Sequence, residues 1–445
     1  NFGYPPDGGG IGAGSAQVDL RNLGSQRVLV LVDGIRWVNE SSASGVSGSA
    51  DLNTIPLAIV ERIEVLEDGA SAIYGSDAIA GVVNIITRRN FEGGEIHTYY
   101  GEYEDGGDTT EASVTLGGSG ERWSAVFSAS YYEQKAISSA VWEQSAFPIP
   151  GGGLAYGSSG TPQGRFTFCD PARPVGTYGS CTASQEFFYD VTLNNGTTTP
   201  VWNPADPSSG TYNDFDGGDR FNFAPFNLLL TPSKRKALFT SLSYDITDNT
   251  RLHVKALYNN RTSTNQAAPE PIFVGPYAGT GGIADTVIVH ENNPFNPFGI
   301  RLDPASNFGW VTRRPVEVGP RRFEQDVDTT YFNIGLDGLI ADGRFAWDFN
   351  YAHSENKAEQ RFTNGYNVAK IKLALGDPAV CAAVPGCTPL DLFGGQGRPM
   401  TQQQIDWIRT TQNDSSKQVL DLFTANLTGD LFDIGDRSAG FAAGA

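Results

Sequence analysis

The side chains able to do chemistry are few and scattered. Of the four histidines, His97, His253 and His353 fall in predicted strands and His290 in a loop, so they read as solvated groups rather than one metal or acid–base centre. Glu64 and Glu67 read as a solvated face, and no Gly-rich phosphate loop follows a strand in a βαβ unit. Asp214, Asp216 and Asp219, in YNDFDGGDRFNF, offer oxygen donors suited to Ca²⁺. Their spacing is not that of an EF-hand, and a solvated acidic loop is the plainer reading. The four cysteines form two local pairs, Cys169 with Cys181 and Cys381 with Cys387. Two disulfides, made in an oxidising compartment, are the simplest outcome. A four-thiolate zinc site is the rival, though neither pair has the C-x-x-C spacing many such sites use. With no catalytic constellation, the chain reads as a binding protein and not an enzyme. Trp142, Trp202, Trp310 and Trp407 lie in or near loops, where they either stack on sugars or fill a loop core.

The elements that must position these groups are mostly strands. Leu252, Val254, Ala256 and Tyr258 alternate with Arg251, His253, Lys255 and Asn259. Phe332, Ile334 and Leu336 alternate with Asn333 and Asp337, and Phe345, Trp347, Phe349 and Tyr351 with Asp348 and Asn350. This is the period-2 signature of a sheet with one apolar face. Short turns at Gly117–Gly120, Thr247–Asn249, Ala341–Gly343 and Asp433–Asp436 alternate with long loops at about 136–233, 266–320 and 363–415, with one short exception at Glu104–Asp108. Loops so long are uncommon in compact soluble domains, whereas outer-membrane barrels pair short periplasmic turns with long outer loops. No apolar run approaches a membrane helix, so a span across a bilayer requires a closed barrel. The net charge of −19 argues against nucleic acid and against a polybasic membrane-surface protein.

Ahead of these strands, RVLVLVD (Arg27–Asp33) reads as a buried strand closed by Asp33-Gly34. Thr54 and Pro56 predict the start of a short helix, and Ile63, Val65 and Leu66 a strand. Asp68-Gly69 predicts a turn, and Ala80–Thr87 a second buried strand. The order LVLVDG, DLNTIP, VERIEVLEDGASAIYGSDAIAGVVNIIT, dense over roughly Asp19–Arg89, resembles the plug domain of TonB-dependent outer-membrane receptors. The resemblance implies a mainly β protein: a small αβ plug followed by antiparallel transmembrane strands. About nine strands are legible, against ~22 in a plugged transporter barrel. Residues 1–92 are assigned to the C-terminal part of the plug and 93–445 to the N-terminal part of the barrel. The chain reads as a fragment continuing at both ends.

The resemblance also implies a function. The expected activity is energy-coupled import of a scarce nutrient: siderophore-bound iron, cobalamin, an oligosaccharide or a peptide. The implied partners are TonB and its inner-membrane energising complex, outer-membrane lipid, and a surface lipoprotein. A passive pore and a plugged surface adhesin are the rivals. No cofactor is implied, Ca²⁺ in the outer loops aside. Plug loops contribute to the substrate floor in this family, so Arg36, Trp37, Asn39, Ser47 and Ser49 of RWVNESSASGVSGS are the candidate ligand contacts. Asn333, Asp348 and Asn350 are expected to face inward and hold the plug by hydrogen bonds.

Overall fold

The computed structural model describes residues 14–67, 71–181, 188–206, 209–434 and 437–445. The Asp68-Gly69 turn and residues 1–13 lie outside the described residues, as do Gly435 and Asp436 of the last predicted turn. Four strands build the first unit: β1 (Val28–Val32), β2 (Ile35–Arg36), β3 (Val60–Leu66) and β4 (Gly81–Thr87), in the order β2-β1-β4-β3. β1 runs parallel to β4 and is buried at every position, which is why VLVLV carries no polar residue. Asp33 (φ 51°) and Gly34 (φ 84°) form the tight β1–β2 turn, both in the left-handed region that a type I′ hairpin turn requires. At Gly81 (φ 144°) a Cβ would stand 2.6 Å from the Leu66 carbonyl oxygen, so only glycine lets β3 and β4 close.

The helix predicted from Thr54 and Pro56 is instead two 3₁₀ turns, Leu52–Thr54 and Leu57–Ile59. Pro56 pushes Ile55 into an extended conformation (φ −106°, ψ 112°), which a continuous helix cannot accommodate. The cap is Asp51, whose carboxylate accepts the Asn53 N–H. Thr54 is buried, and its hydroxyl donates to the Asp51 carbonyl.

Past Arg89 the chain rises and falls through an antiparallel nine-stranded sheet. It opens with β5 (Gly93–Tyr103), β6 (Gly106–Ser119) and β7 (Trp123–Gln134). The first long loop carries β8 (Ile137–Ser138), β9 (Arg165–Phe168), β10 (Tyr189–Leu193), β11 (Tyr212–Asp214) and β12 (Leu228–Leu230). The wall resumes with β13 (Ser233–Thr247) and β14 (Thr250–Ala267). The second loop carries β15 (Ile272–Val274) and β16 (Phe308–Arg313), before β17 (Arg321–Ile340) and β18 (Phe345–Tyr366). The third holds α2 (Val368–Leu375), α3 (Pro378–Ala382) and α4 (Gln402–Ile408), after which come β19 (Arg409–Ile434) and β20 (Arg437–Gly444). α1 (Ser71–Tyr74) belongs to the first unit. Thr401 caps α4 through a reciprocal box with Gln404, and Ile405 and Ile408 are buried, as the sequence predicts.

Alternation in the wall is inside-out relative to a soluble sheet. On β17 the buried positions are Phe323, Gln325, Val327, Thr329, Tyr331, Asn333 and Gly335, polar and apolar together, while Phe332 and Ile334 face out and are exposed. Such a sheet suits lipid outside and a polar filling inside. Its outward aromatics trace the membrane boundary. Tyr131 aligns through Lys236, Asn260 and Asp328 with Lys357, yet the boundary tyrosine on β18 is Tyr351, six residues lower (357 − 351). A drop of about 20 Å along the strands over about 19 Å of sheet width corresponds to a tilt near 45°.

The strands run further than the sequence suggests: β18 continues to Tyr366 and β19 starts at Arg409. These ends, rich in Glu, Gln, Asn and Ser, stand above the lipid and lack apolar alternation, so they resemble loop. The three long loops fold together. β11-β10-β9-β16-β15 form a second sheet whose core joins Phe166, Phe168, Tyr189 and Phe298 to Ile371, Leu375 and Ile405 of the third loop. Disulfides Cys169–Cys181 (Cα separation 5.0 Å) and Cys381–Cys387 (5.4 Å) staple this cap.

Candidate functional site

The first unit lies against the inward face of the wall. Val30, Val32, Ile35 and Ile85 share one apolar cluster with Phe239, Leu257, Tyr331 and Ala352. Around that patch the contact is polar and charged. The carboxylate of Asp33, fixed by the β1–β2 turn, accepts from the Thr87 backbone N–H (3.0 Å) and hydroxyl (2.5 Å). It pairs with Lys255 of β14 and with Arg89 (3.1 Å). Burial alone would push Asp33 up, but Lys255, Thr87 and Arg89 outweigh it and hold the carboxyl below its usual range.

A second anchor is buried more deeply. The Arg261 guanidinium on β14 stands 3.2 Å from Glu40 and 2.9 Å from Asp51, and all three side chains are at most 1% exposed. Glu40 lies within the loop of candidate ligand contacts and Asp51 just past its end, so one wall cation ties down the segment between them. Burial pushes Glu40 above the usual carboxylate range; Arg261 opposes this and the Asp51 charge adds to it. Asn356 of β18 donates to Glu40 (3.3 Å) and accepts the Ser41 N–H (2.9 Å). Gln325 donates to the Ser44 carbonyl (2.8 Å), and the Ala43 N–H donates to Ser416 (2.6 Å). The loop is therefore stitched to β14, β17, β18 and β19.

This disposes the candidate contacts unevenly. Trp37 is 4% exposed, its ring 5.1 Å from Tyr331 and its indole N–H donated to Thr54 (3.0 Å). In this arrangement it packs against the wall and presents no free face for stacking. Ser49 is buried against the Ser25 hydroxyl (2.8 Å). Arg36 pairs with Asp77 (2.7 Å) and donates to the Tyr74 carbonyl. Asn39 and Ser47 are exposed. Arg36, Trp37 and Asn39 also line a small cavity of about 130 Å³ closed by Gln418 and Leu420 of the wall.

Among the described residues, the wall residues expected to hold the plug make no hydrogen bond to it. Asn350 bonds to His253 (2.9 Å) and Asp348 (2.9 Å), and Asn333 donates to the Tyr351 carbonyl (3.2 Å). All three lie low on strands whose side chains bond sideways to neighbouring strands. Lys255, Arg261, Gln325 and Asn356 take their place. The legible signal was a charge at inward register positions of a lipid-flanked strand, where it needs a partner.

The acidic triad of the first loop is not convergent. Asp216 and Asp219 form a reciprocal cap around Gly217–Asp219, and Asp214 accepts the Tyr178 hydroxyl (2.8 Å), which burial and that carboxylate push up. Among the described residues no group of three or more acidic, histidine or cysteine side chains could hold a metal ion. The Ca²⁺ alternative finds no convergent donor set here, because Asp216 and Asp219 are engaged in a local cap and Asp214 by Tyr178. Trp202 packs on Phe168 (5.4 Å) and Tyr189 (4.9 Å), and Trp407 donates to the Lys370 carbonyl (3.1 Å). Both therefore belong to the loop core. Trp310 lies under the Arg165 guanidinium (4.9 Å), and Trp142 is exposed.

Beneath the cap, cavities open toward the inward face. One, of about 560 Å³, is lined by Phe273, Tyr366, Gln360 and the stacked pair Phe323–Phe362 (4.7 Å). Arg321 and Glu270, paired at 2.9 Å, line both it and a second cavity of about 580 Å³.

Residues 4–82 match the TonB-dependent Receptor Plug Domain family. Among solved structures, the chain is similar to the siderophore receptor PiuA from Acinetobacter baumannii at 14% identity and TM-score 0.34, over 98% of this chain and 56% of that one. It is similar to a variant of the ferric enterobactin receptor PfeA from Pseudomonas aeruginosa, in complex with enterobactin, at 15% identity and TM-score 0.34, over 97% and 57%. The unliganded ferric citrate transporter FecA matches at 9% identity and TM-score 0.36, over 96% and 48%. The chain spans about half the length of these proteins.

Proposed function

Because this chain belongs to the TonB-dependent outer-membrane receptors, with a plug set against barrel strands, we propose that it serves energy-coupled import of a scarce nutrient. In this reading the substrate meets the cap and the outward loops of the plug. TonB and its inner-membrane complex then remodel the plug to open a path. A surface lipoprotein is a further partner of the same reading.

The observation that carries the proposal is the chemistry of the plug–wall contact. A permanent seal would be apolar. Here one apolar patch is ringed by charged anchors, Asp33 to Lys255 and Glu40 and Asp51 to Arg261. Breaking such pairs exposes charges that a hydrated lumen can resolvate, so they hold firmly yet separate without unfolding the barrel. Siderophore iron, cobalamin, oligosaccharide and peptide are the substrate classes of this reading. Uptake measured with and without TonB tests it: uptake should vanish in the strain lacking TonB. Uptake that persists there, or ion conductance through the plugged protein in planar bilayers without an energy source, sinks it.

A further inference from the structure

Three cavities of the cap are neighbours with lining residues in common. One, about 460 Å³, is lined by Asn194, Asn195, Asn222, Gln163 and Gln396. It shares Arg220 with the 580 Å³ chamber, which in turn shares Glu270 and Arg321 with the 560 Å³ chamber above the wall. Three neighbouring cavities thus share wall residues, from the amide-lined one to the one at the inward-facing rings of Phe323 and Phe362.

The lining has a consistent chemistry. The side-chain amides of Asn194 and Asn195 make no hydrogen bond among the described residues. An amide both donates and accepts, as does a hydroxyl, so a run of amides suits a polyol. Aromatic surface recurs across these cavities: Tyr156, 58% exposed, in the middle chamber, and Phe273 with the Phe323–Phe362 stack in the last. Such faces pack against the C–H face of a ring. The cations are engaged within the protein. Arg220 donates to the Gly157 carbonyl (3.0 Å), Arg314 to the Gly160 carbonyl (3.1 Å) and the Ser158 hydroxyl (2.8 Å), and Arg321 to Ala268 and Glu270. Arg321 is neutralised by Glu270, and the net charge of −19 offers an anionic chelate no long-range attraction.

We propose that the cap binds an extended, neutral, hydroxyl-rich chain, an oligosaccharide, along these three chambers. This names a substrate class for the import reading and rests on it. Three neighbouring cavities favour length over compactness, so affinity should grow as each chamber fills.

The purified full-length receptor in detergent is titrated calorimetrically with α-glucan, β-glucan, xylan and mannan oligosaccharides from disaccharide to octasaccharide. The expected result is binding of at least one series, with affinity rising about tenfold or more along it. Asn194→Ala combined with Asn195→Ala, at exposed positions, should lower affinity for the longest oligomer about tenfold. Phe362→Ala, checked for unchanged protease resistance, should weaken the same oligomer. No binding across the panel, no dependence on length, or an unchanged double variant overturns the proposal. So does tighter binding of a ferric tricatecholate or a peptide. A ferric chelate taken up only with TonB would sink the oligosaccharide while keeping import. A bound oligosaccharide taken up without TonB would do the reverse.

Discussion

The guanidinium of Arg261 lies 2.9 Å from the carboxylate of Asp51, one on the wall and the other on the plug, with neither side chain exposed. Arg261 also meets Glu40, so two buried carboxylates depend on one cation. Arg261→Met should loosen the plug by about 3–5 kcal/mol, the usual result of stranding a buried charge. Adding Glu40→Gln and Asp51→Asn should recover most of that loss. Limited proteolysis of the plug in otherwise intact barrels reads both steps, and a single variant as protected as wild type would refute the anchor.

Acid should act on the plug in two opposite phases. Glu40 is held above its ordinary 4.5, so its contribution to docking is complete below about that pH and is lost as pH rises through the raised value. Asp33 is held below its ordinary 3.8, so its contribution is present above that pH and is lost as pH falls through the lowered value. Docking should therefore tighten as pH falls through the raised Glu40 value toward about 4.5 and loosen below 3.8. Hydrogen exchange of residues 40–51, corrected for intrinsic rates, follows both phases. Glu40→Gln should flatten the first and leave the second.

Two glycines with positive φ should respond differently to alanine. At Gly34 a Cβ meets nothing within 4 Å, so Gly34→Ala costs only the left-handed backbone, about 1–2 kcal/mol. At Gly81 it collides with the Leu66 carbonyl at 2.6 Å, so Gly81→Ala should separate β3 from β4 and cost clearly more, about 3 kcal/mol or above. Equal protease sensitivity of the two variants would contradict the close approach.

The cap should depend on its staples while the wall does not. Replacing Cys169 and Cys181 by serine opens a link spanning 12 residues and should cost the cap about 3 kcal/mol; the Cys381–Cys387 link, spanning 6, should cost about 2. Cleavage of the loops by a soluble protease should rise in that order, with the barrel still resisting detergent. Loss of barrel resistance in either variant would show that the cap is not energetically separate.

Local chemistry was legible in the sequence and partnership across the chain was not. The Asp33-Gly34 turn, the Thr401–Gln404 cap and the alternation of short turns with long loops are set by neighbours within a few residues. Arg261 and Glu40 lie 221 positions apart, and an inward charge on a strand looks like any solvated charge until its partner is placed beside it. Trp37 misled for the same reason: a tryptophan in a Gly/Ser-rich loop reads as exposed, and only Tyr331 on the wall shows otherwise. The cap was invisible because its strands are short, β15 having three residues and β9 four, too few for a period to emerge.

The tilt and length of the wall also set a height. From the boundary ring of Tyr351 to the end of β18 at Tyr366 is fifteen residues (366 − 351). Along a strand inclined near 45° that is an elevation of roughly 35 Å. The cap is thus a turret rather than a rim. On this geometry the cap, and not the membrane-level end of the wall, is the outermost surface of the described residues.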